Sequence, residues 1–226
     1  MDIRTNIMAS TTEENYLKAL FNLSNPEGEV NISDLAQSLG VSMPTSNSMV
    51  KSLQKSGWVV YEKYKPVTLT QEGKKAAALV IRKHRLTEMF LVKKMGFGWE
   101  EVHEVAEQIE HIHAPKFFER MDEMLGFPTI DPHGSPIPDQ QGRIQALNHI
   151  ALSSCIPGQV VQLTALTNSS ADFLEFLNNR ELALGKELKI LSKEPYDHSM
   201  TVSYSGHSSE TLSEKVCERL LVRVIS

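Results

Sequence analysis

Ile32-Ser33-Asp34-Leu35-Ala36-Gln37-Ser38-Leu39-Gly40-Val41-Ser42, continued by Met43-Pro44-Thr45-Ser46-Asn47-Ser48-Met49-Val50-Lys51-Ser52-Leu53-Gln54-Lys55-Ser56, decides the fold of this chain. Ser33 reads as a helix N-cap and Gly40 as a C-cap, with Leu35, Ala36 and Leu39 on the buried face between them. Pro44 favours a first helical turn, and the spacing predicts a second helix over residues 45–56 with Val50 and Leu53 inward. The opposite face carries Thr45, Asn47, Ser48, Lys51 and Lys55. A helix, a glycine-containing turn and a polar, cationic helix form the helix-turn-helix pattern, whose second helix enters the DNA major groove. Upstream, residues 12–23 form a helix with Tyr16, Leu17, Leu20, Phe21 and Leu23 on one side, ended by Asn25-Pro26-Glu27-Gly28. Downstream, residues 58–70 read as two short strands around a basic turn. The assignment is a winged helix-turn-helix; the competing reading is a small helical domain whose hairpin meets protein instead.

Charge distribution bears on that choice more than the total. The formal net charge is −5, and residues 1–73 hold six Lys/Arg against eight Asp/Glu, so a sequence-blind coat for nucleic acid is excluded. Between residues 43 and 65, however, Lys51, Lys55, Lys63 and Lys65 face only Glu62. That is a local cationic excess where a helix and wing would meet phosphates.

Beyond the wing the chain changes character. A long helix is predicted from Gly73 through Met95, ended by Gly96-Phe97-Gly98-Trp99; further helices follow over residues 100–113 and from Pro115 to Leu125. On the first of these, His84 and Glu88 are four apart; on the second, His103, Glu107, Glu110 and His111 lie at offsets of four, seven and eight. At about 3.6 residues per turn each set shares one face. Leu79, Ile81, Leu86, Phe90 and Leu91 on one helix and Val102, Val105, Ala106, Ile109 and Ile112 on the other would pack the pair and bring the polar stripes together. Imidazole and carboxylate without thiolate is a donor set for Mn(II), Fe(II) or Zn(II), the carboxylates leaning toward the harder ions. Glu and His on solvated helix faces are the plain alternative.

The remainder sorts into a boundary and a β-rich end. Residues 131–139, Asp-Pro-His-Gly-Ser-Pro-Ile-Pro-Asp, exclude regular structure and mark a boundary. Short β-type runs at residues 160–163, 188–191, 200–204 and 221–225, with a helix near 171–177, suggest a small barrel. Domains are thus expected at 1–73 (winged helix-turn-helix), 74–145 (helical), 146–156 (linker) and 157–226 (barrel). Composition, with 41% hydrophobic and 23% charged residues, is that of a globular protein. The N-terminus lacks the apolar core of a signal peptide, no membrane span is present, and Cys155 and Cys217 show no CxxC spacing; a cytoplasmic protein is expected.

These motifs together resemble the diphtheria-toxin-repressor family of metal-dependent transcriptional regulators, which includes manganese transport regulators and iron-dependent repressors. The resemblance runs through Thr12-Glu13 with Tyr16-Leu17, the winged helix, Arg82-Lys83-His84-Arg85-Leu86 with Glu88, Val102-His103-Glu104 with Ala106, Glu110-His111, and Gly134 with Pro136-Ile137-Pro138. It implies a mainly α fold with small β parts: winged helix-turn-helix, helical dimerisation and metal-binding domain, and C-terminal SH3-like (FeoA-like) barrel. It implies one metal site from His84, Glu88 and His103 completed by the barrel, where Asp172 is the matching acid, and a second from Glu107, Glu110 and His111 with a group from the first helix. Asn15 stands where the family has Met or Asp, with Glu14 as the neighbouring substitute. Glu107 occupies the position that is Cys in iron-type members and Glu in manganese-type members. The implied function is a metal-activated repressor of metal uptake genes, Mn(II) first, Fe(II) second, with Zn(II) or Co(II) substituting in vitro, and no enzymatic activity.

Partners follow from the same residues. Pro44, Thr45, Asn47 and Ser48 would meet base edges or thymine methyls of an operator duplex, and Lys51, Lys63 and Lys65 its phosphates. Ile109, Ile112, Phe117, Phe118, Met121 and Leu125 would supply a homodimer interface, with an intrachain core as the competing use. A dinuclear His/Glu metalloenzyme is the alternative from another class, and a metal-independent DNA-binding protein is a third.

Overall fold

The computed structural model describes residues 9–167 and 169–226. The N-terminal stretch read for a signal peptide, residues 1–6, lies outside the described residues. The described residues fall into two compact units: the first runs to Thr87 and adds Ala106–Met121 and Ile137–Ile144, and the second comprises Glu88–Val105, Asp122–Pro136 and Gln145–Ser226.

The first unit opens with helix α1 (Thr11–Leu23), held at its start by a reciprocal capping box between Ser10 and Glu13. Strand β1 (Glu29–Val30) leads into α2 (Ile32–Ser38) and α3 (Met43–Lys55). The N-cap of α2 is Asn31 rather than Ser33, which lies inside the first turn, while Gly40 adopts φ 64° just past the end and turns the chain toward α3. Ser42 caps α3 through the Thr45 amide, which moves its start two residues ahead of the sequence expectation. β2 (Val59–Val60) and β3 (Val67–Leu69) form the wing, and β1 adds a third antiparallel strand that sequence reading missed, in the order β1-β3-β2. Leu17, Leu35, Val50, Leu53 and Val67 are fully buried at the centre of this domain. Burial of each such side chain is worth roughly 1.5–3 kcal/mol, so this core rather than helix propensity fixes the angle at which α3 is presented.

Helix α4 (Gln71–Phe90) begins earlier than Gly73 because Thr70 caps it: its Oγ1 accepts from the Gly73 amide at 3.0 Å. It passes into a π-helical turn at Leu91–Met95. Helix α5 (Val102–Ile109) is shorter than the expected 100–113. Glu110 still donates to the Ala106 carbonyl, but Ile112 bonds only three residues back, and Pro115 disfavours helical geometry in the residue before it. Helix α6 (Pro115–Leu125) has the expected bounds.

In the second unit the barrel is a six-stranded antiparallel sheet built from β4 (Ile150–Ala151), β5 (Val160–Leu166), β6 (Glu187–Lys193), β7 (Met200–Tyr204), β8 (His207–Leu212) and β9 (Leu220–Val224), ordered β4-β9-β5-β6-β7-β8. Helices α7 (Ala171–Asn178) and α8 (Glu214–Arg219) accompany it. Its core joins Leu152, Val161, Leu163, Leu177, Leu188, Val202 and Val222 with the two cysteines, and Trp99 packs at its margin. Burial pushes the Cys217 thiol up to about 11 and the Cys155 thiol upward as well. No helix among the described residues is long and apolar enough to cross a membrane.

Candidate metal centre and nucleic-acid interface

On α3, Pro44, Thr45, Ser48 and Lys51 are exposed and Asn47 is half-buried. Their orientation follows from the buried Ser46, Val50 and Leu53 on the opposite face. Two of the polar groups are already partly committed. Thr45 shares a 2.8 Å hydrogen bond with the capping Ser42, and Asn47 Oδ1 accepts from the Tyr61 hydroxyl at 2.8 Å, which ties the recognition helix to the wing. Asn47 therefore offers its amide NH2, a donor, to a base edge. Lys63, whose Nζ lies 4.7 Å from the Tyr64 ring centre, and Lys65, paired with Glu62 at 2.7 Å, stand at the wing tip. Asn31, Pro44, Asn47, Tyr61, Lys63 and Lys65 help to line a shallow concavity of about 510 Å³ between helix and wing.

The first unit also gathers a cluster of charged side chains. Glu110, with no exposed side-chain surface, sits at its centre. His84 Nδ1 is 2.5 Å from Glu110 Oε2; a carboxylate only accepts, so Nδ1 carries the proton. On the other side His111 Nε2 lies 3.5 Å from Glu110 Oε1, while His111 Nδ1 donates to Glu14 Oε2 at 2.6 Å. Glu14 thus orients an imidazole in the manner of a metal ligand's supporting carboxylate. Lys83 Nζ approaches Glu14 at 3.2 Å, and Lys18 Nζ reaches both Glu107 and Glu110. Burial pushes the Glu110 carboxyl upward, but the hydrogen bond from His84 and the charge of Lys18 outweigh it and hold the group below its ordinary value. Three carboxylates and two imidazoles therefore share the space with two lysines.

A second cluster lies wholly within the second unit, and sequence reading missed two of its members. Glu88, Asp131 and His133 are all buried, and one ligand atom from each lies within 4.8 Å of the others. His133 Nε2 faces the Trp99 carbonyl oxygen at 2.9 Å and so carries the proton, leaving Nδ1 toward Glu88 Oε2 at 3.7 Å. Asp131 Oδ1 accepts from the amides of His133 and Ser135 at 2.8 and 2.9 Å, which fixes the carboxylate on a tight turn. Burial pulls the His133 imidazole down, yet Glu88, the Trp99 carbonyl and Asp131 together hold it above its ordinary value. His103, largely exposed, places Nδ1 3.5 Å from Glu88 Oε1.

Of the expected donors, His84, Glu107, Glu110 and His111 belong to the first unit and Glu88 and His103 to the second. Asp172, expected from the barrel, is exposed in the first turn of α7 and is not among the Glu88–Asp131–His133 group. Asn15, expected from α1, has its Oδ1 buried without a hydrogen-bond partner. A buried unpaired amide oxygen costs roughly 1–3 kcal/mol, and a cation is one group that would satisfy it. With oxygen and nitrogen donors and no sulfur, the residues fit a hard or borderline divalent ion.

Residues 8–67 match the model of the iron dependent repressor, N-terminal DNA binding domain; residues 70–139 match its metal binding and dimerisation domain; residues 150–224 match the FeoA domain. The iron-dependent repressor IdeR of Mycobacterium tuberculosis is 26% identical over 227 residues, covering 95% of this chain and 97% of that protein. The HTH-type transcriptional regulator MntR of Bacillus pumilus is 30% identical over 120 residues, 53% of this chain and 83% of that one. Among solved structures, a manganese-dependent transcriptional repressor in complex with manganese superposes with a TM-score of 0.85 at 29% identity, covering 94% of this chain and 100% of the other. With a winged DNA-binding domain, a metal binding and dimerisation domain and a FeoA barrel in this order, the chain belongs to the iron-dependent repressor family of metal-dependent transcriptional regulators.

Proposed function

We propose that this chain is a manganese-activated repressor of metal uptake genes, working as a cytoplasmic homodimer on operator DNA and carrying no enzymatic activity. The observation that carries the choice of metal is the donor set: Glu107, Glu110, His84 and His111 offer carboxylate and imidazole, and both cysteines are in the barrel core. Sulfur-free, oxygen-rich sites favour Mn(II), with Fe(II) the second reading and Zn(II) or Co(II) substitutes in vitro. Solved relatives described as manganese-dependent support this choice, and IdeR, described as iron-dependent, supports the second.

Glu107, Glu110 and His111, with Asn15 from α1, would hold one ion; Glu88, Asp131 and His133, with His103, would hold another. His84 would serve as a further imidazole donor beside Glu110, Glu14 would orient His111, and Asp172 enters only as a further barrel carboxylate. The ion supplies positive charge that draws acids and imidazoles from separate elements onto one centre. We assign residues 1–73 to operator binding, 74–145 to metal binding and dimerisation, 146–156 to the linker and 157–226 to the barrel. Half-site spacing in a dimer is a geometric requirement, so fixing the winged domains selects the binding-competent state. A coupling of about 1–3 kcal/mol corresponds to roughly 5–150-fold in DNA affinity. Pro44, Thr45, Asn47 and Ser48 would read bases, and Lys51, Lys63 and Lys65 would hold phosphates.

Fluorescence anisotropy tests the reading, using the chain's own upstream promoter and metal-transporter promoters with chelator, Mn(II) or anaerobic Fe(II). Tight binding only with metal is expected, Mn(II) ahead of Fe(II). Equal binding in chelator would sink it. Lys51→Ala is expected to weaken binding evenly across sequences and to lower the salt slope by about one.

A further inference from the structure

Two of the carboxylates in the proposed manganese site already share a cation. Lys18 Nζ donates to Glu107 Oε1 at 2.5 Å and to Glu110 Oε1 at 2.7 Å. The same Glu110 Oε1 is the atom that His111 Nε2 approaches at 3.5 Å. The ammonium therefore stands among three of the donors that would close on an ion. Lys18 reaches them from α1, one turn after Glu14, and spacings of four and three place Glu14, Asn15 and Lys18 on adjoining parts of one helix face. Its side chain is 14% exposed and that of Glu110 not at all, so water and salt screen the pair little.

We infer that Lys18 is a resident cation of this site: it fastens α1 to Glu107 and Glu110 in the metal-free chain, and a divalent ion gains those carboxylates only by displacing the ammonium. The inference rests on the metal-site reading of the cluster. Two carboxylates held this close repel each other, and in most sites the incoming ion relieves that repulsion. Here the relief is built in. Affinity is accordingly lower than the donors alone would give, and the metal concentration at which the regulator responds is set upward. A lysine stem of four methylenes can swing out while its charge remains hydrated, which a guanidinium locked on two carboxylates does less readily. The ammonium also repels a second ion, so this cluster takes one.

Calorimetric titration of the full-length metal-free chain with MnCl2 tests this, alongside Lys18→Met, Lys18→Arg and Glu110→Gln. Lys18→Met keeps the apolar stem and drops the charge; it is expected to bind Mn(II) at least about tenfold more tightly, the effect one neighbouring like charge has on a titrating group. Its metal-free melting temperature is expected to fall and its Mn(II)-induced rise to exceed the wild type's. Unchanged or weaker Mn(II) binding by a folded Lys18→Met would make the lysine a structural tie and overturn the inference. Should Lys18→Met fail to fold, Lys18→Arg decides: weaker Mn(II) binding than wild type supports the resident cation, equal or tighter binding overturns it. Glu110→Gln separates the two levels, because a wild-type isotherm that this change leaves intact would remove the metal site itself and the inference with it.

Discussion

The two clusters solve the same electrostatic problem in different ways. Around Glu110 the acids are stitched by lysines: Lys18 on Glu107 and Glu110, Lys83 on Glu14. Around Glu88 the donors are held by backbone: Asp131 by two amides and His133 by the Trp99 carbonyl. The first arrangement is made of side chains that can exchange partners, and the second of groups set by a turn. A cluster of the first kind suits a sensor whose contacts must change, and one of the second kind suits a site whose geometry is prepared in advance.

Removing the hub should break the contrast most severely. Glu110→Ala leaves Lys18 and His84 without their buried partner and is expected to cost about 3 kcal/mol or more, since stripping one member from a buried ion pair strands the others. Thermal denaturation without metal measures this, and anisotropy should show metal-responsive DNA binding lost. A cost under about 1 kcal/mol would mean the cluster is loosely hydrated, contrary to the burial of Glu110. Next in size, His133→Ala should lower metal affinity in the second unit at least about tenfold, because even supporting groups of metal sites carry that much. Equilibrium dialysis should show one class of ion weakened and the other intact; loss of both classes would merge the two clusters into one.

Acid and base should then pull the clusters apart. Glu110 is held below its ordinary 4.5, so its contribution is complete above that value and is lost as pH falls through the lowered one. His133 is held above its ordinary 6.5, so its contribution is complete below that value and is lost as pH rises through the raised one. In metal-free melts, the gap between wild type and Glu110→Gln should therefore close toward acid, and the gap between wild type and His133→Gln toward alkali. Closure of both at the same end would erase the distinction. The smallest effect is expected of Trp99→Phe. It deletes the indole hydrogen bond to Asn178 Oδ1, worth about 1 kcal/mol, while the backbone carbonyl still holds His133. A large fall in metal affinity in this variant would show that the ring, 6.0 Å from His133, positions the imidazole.

Legibility in the sequence followed periodicity. His84, Glu88, His103, Glu107 and Glu110 could be grouped because a helix repeats every three to four residues, and the recognition helix because Gly40 and Pro44 punctuate it. Asp131 and His133 sit on a turn, where no period links them to Glu88, so the prolines around them spoke only of a boundary. Their one signal was an acid and an imidazole two apart in a stretch too constrained to be a floppy linker. Lys18 was hidden for a different reason: on α1 it looks like one solvated lysine, and only packing gives it two carboxylates. Strand β8, His-Ser-Ser-Glu-Thr-Leu, escaped because only Leu212 among its side chains is apolar and buried, and its place is fixed by hydrogen bonds to β7.

The turn that carries Asp131 and His133 is also bonded to the barrel. The Leu166 amide donates to the His133 carbonyl at 3.0 Å, and a Cβ at Gly134, whose φ is 87°, would lie 2.3 Å from the Thr164 carbonyl oxygen. Strand β5 and the turn are thus fitted to each other atom by atom, with glycine as the only residue the gap admits. A displacement of β5 would therefore carry the turn with it, and barrel packing acts as a mechanical constraint on the spacing of Asp131 and His133 from Glu88.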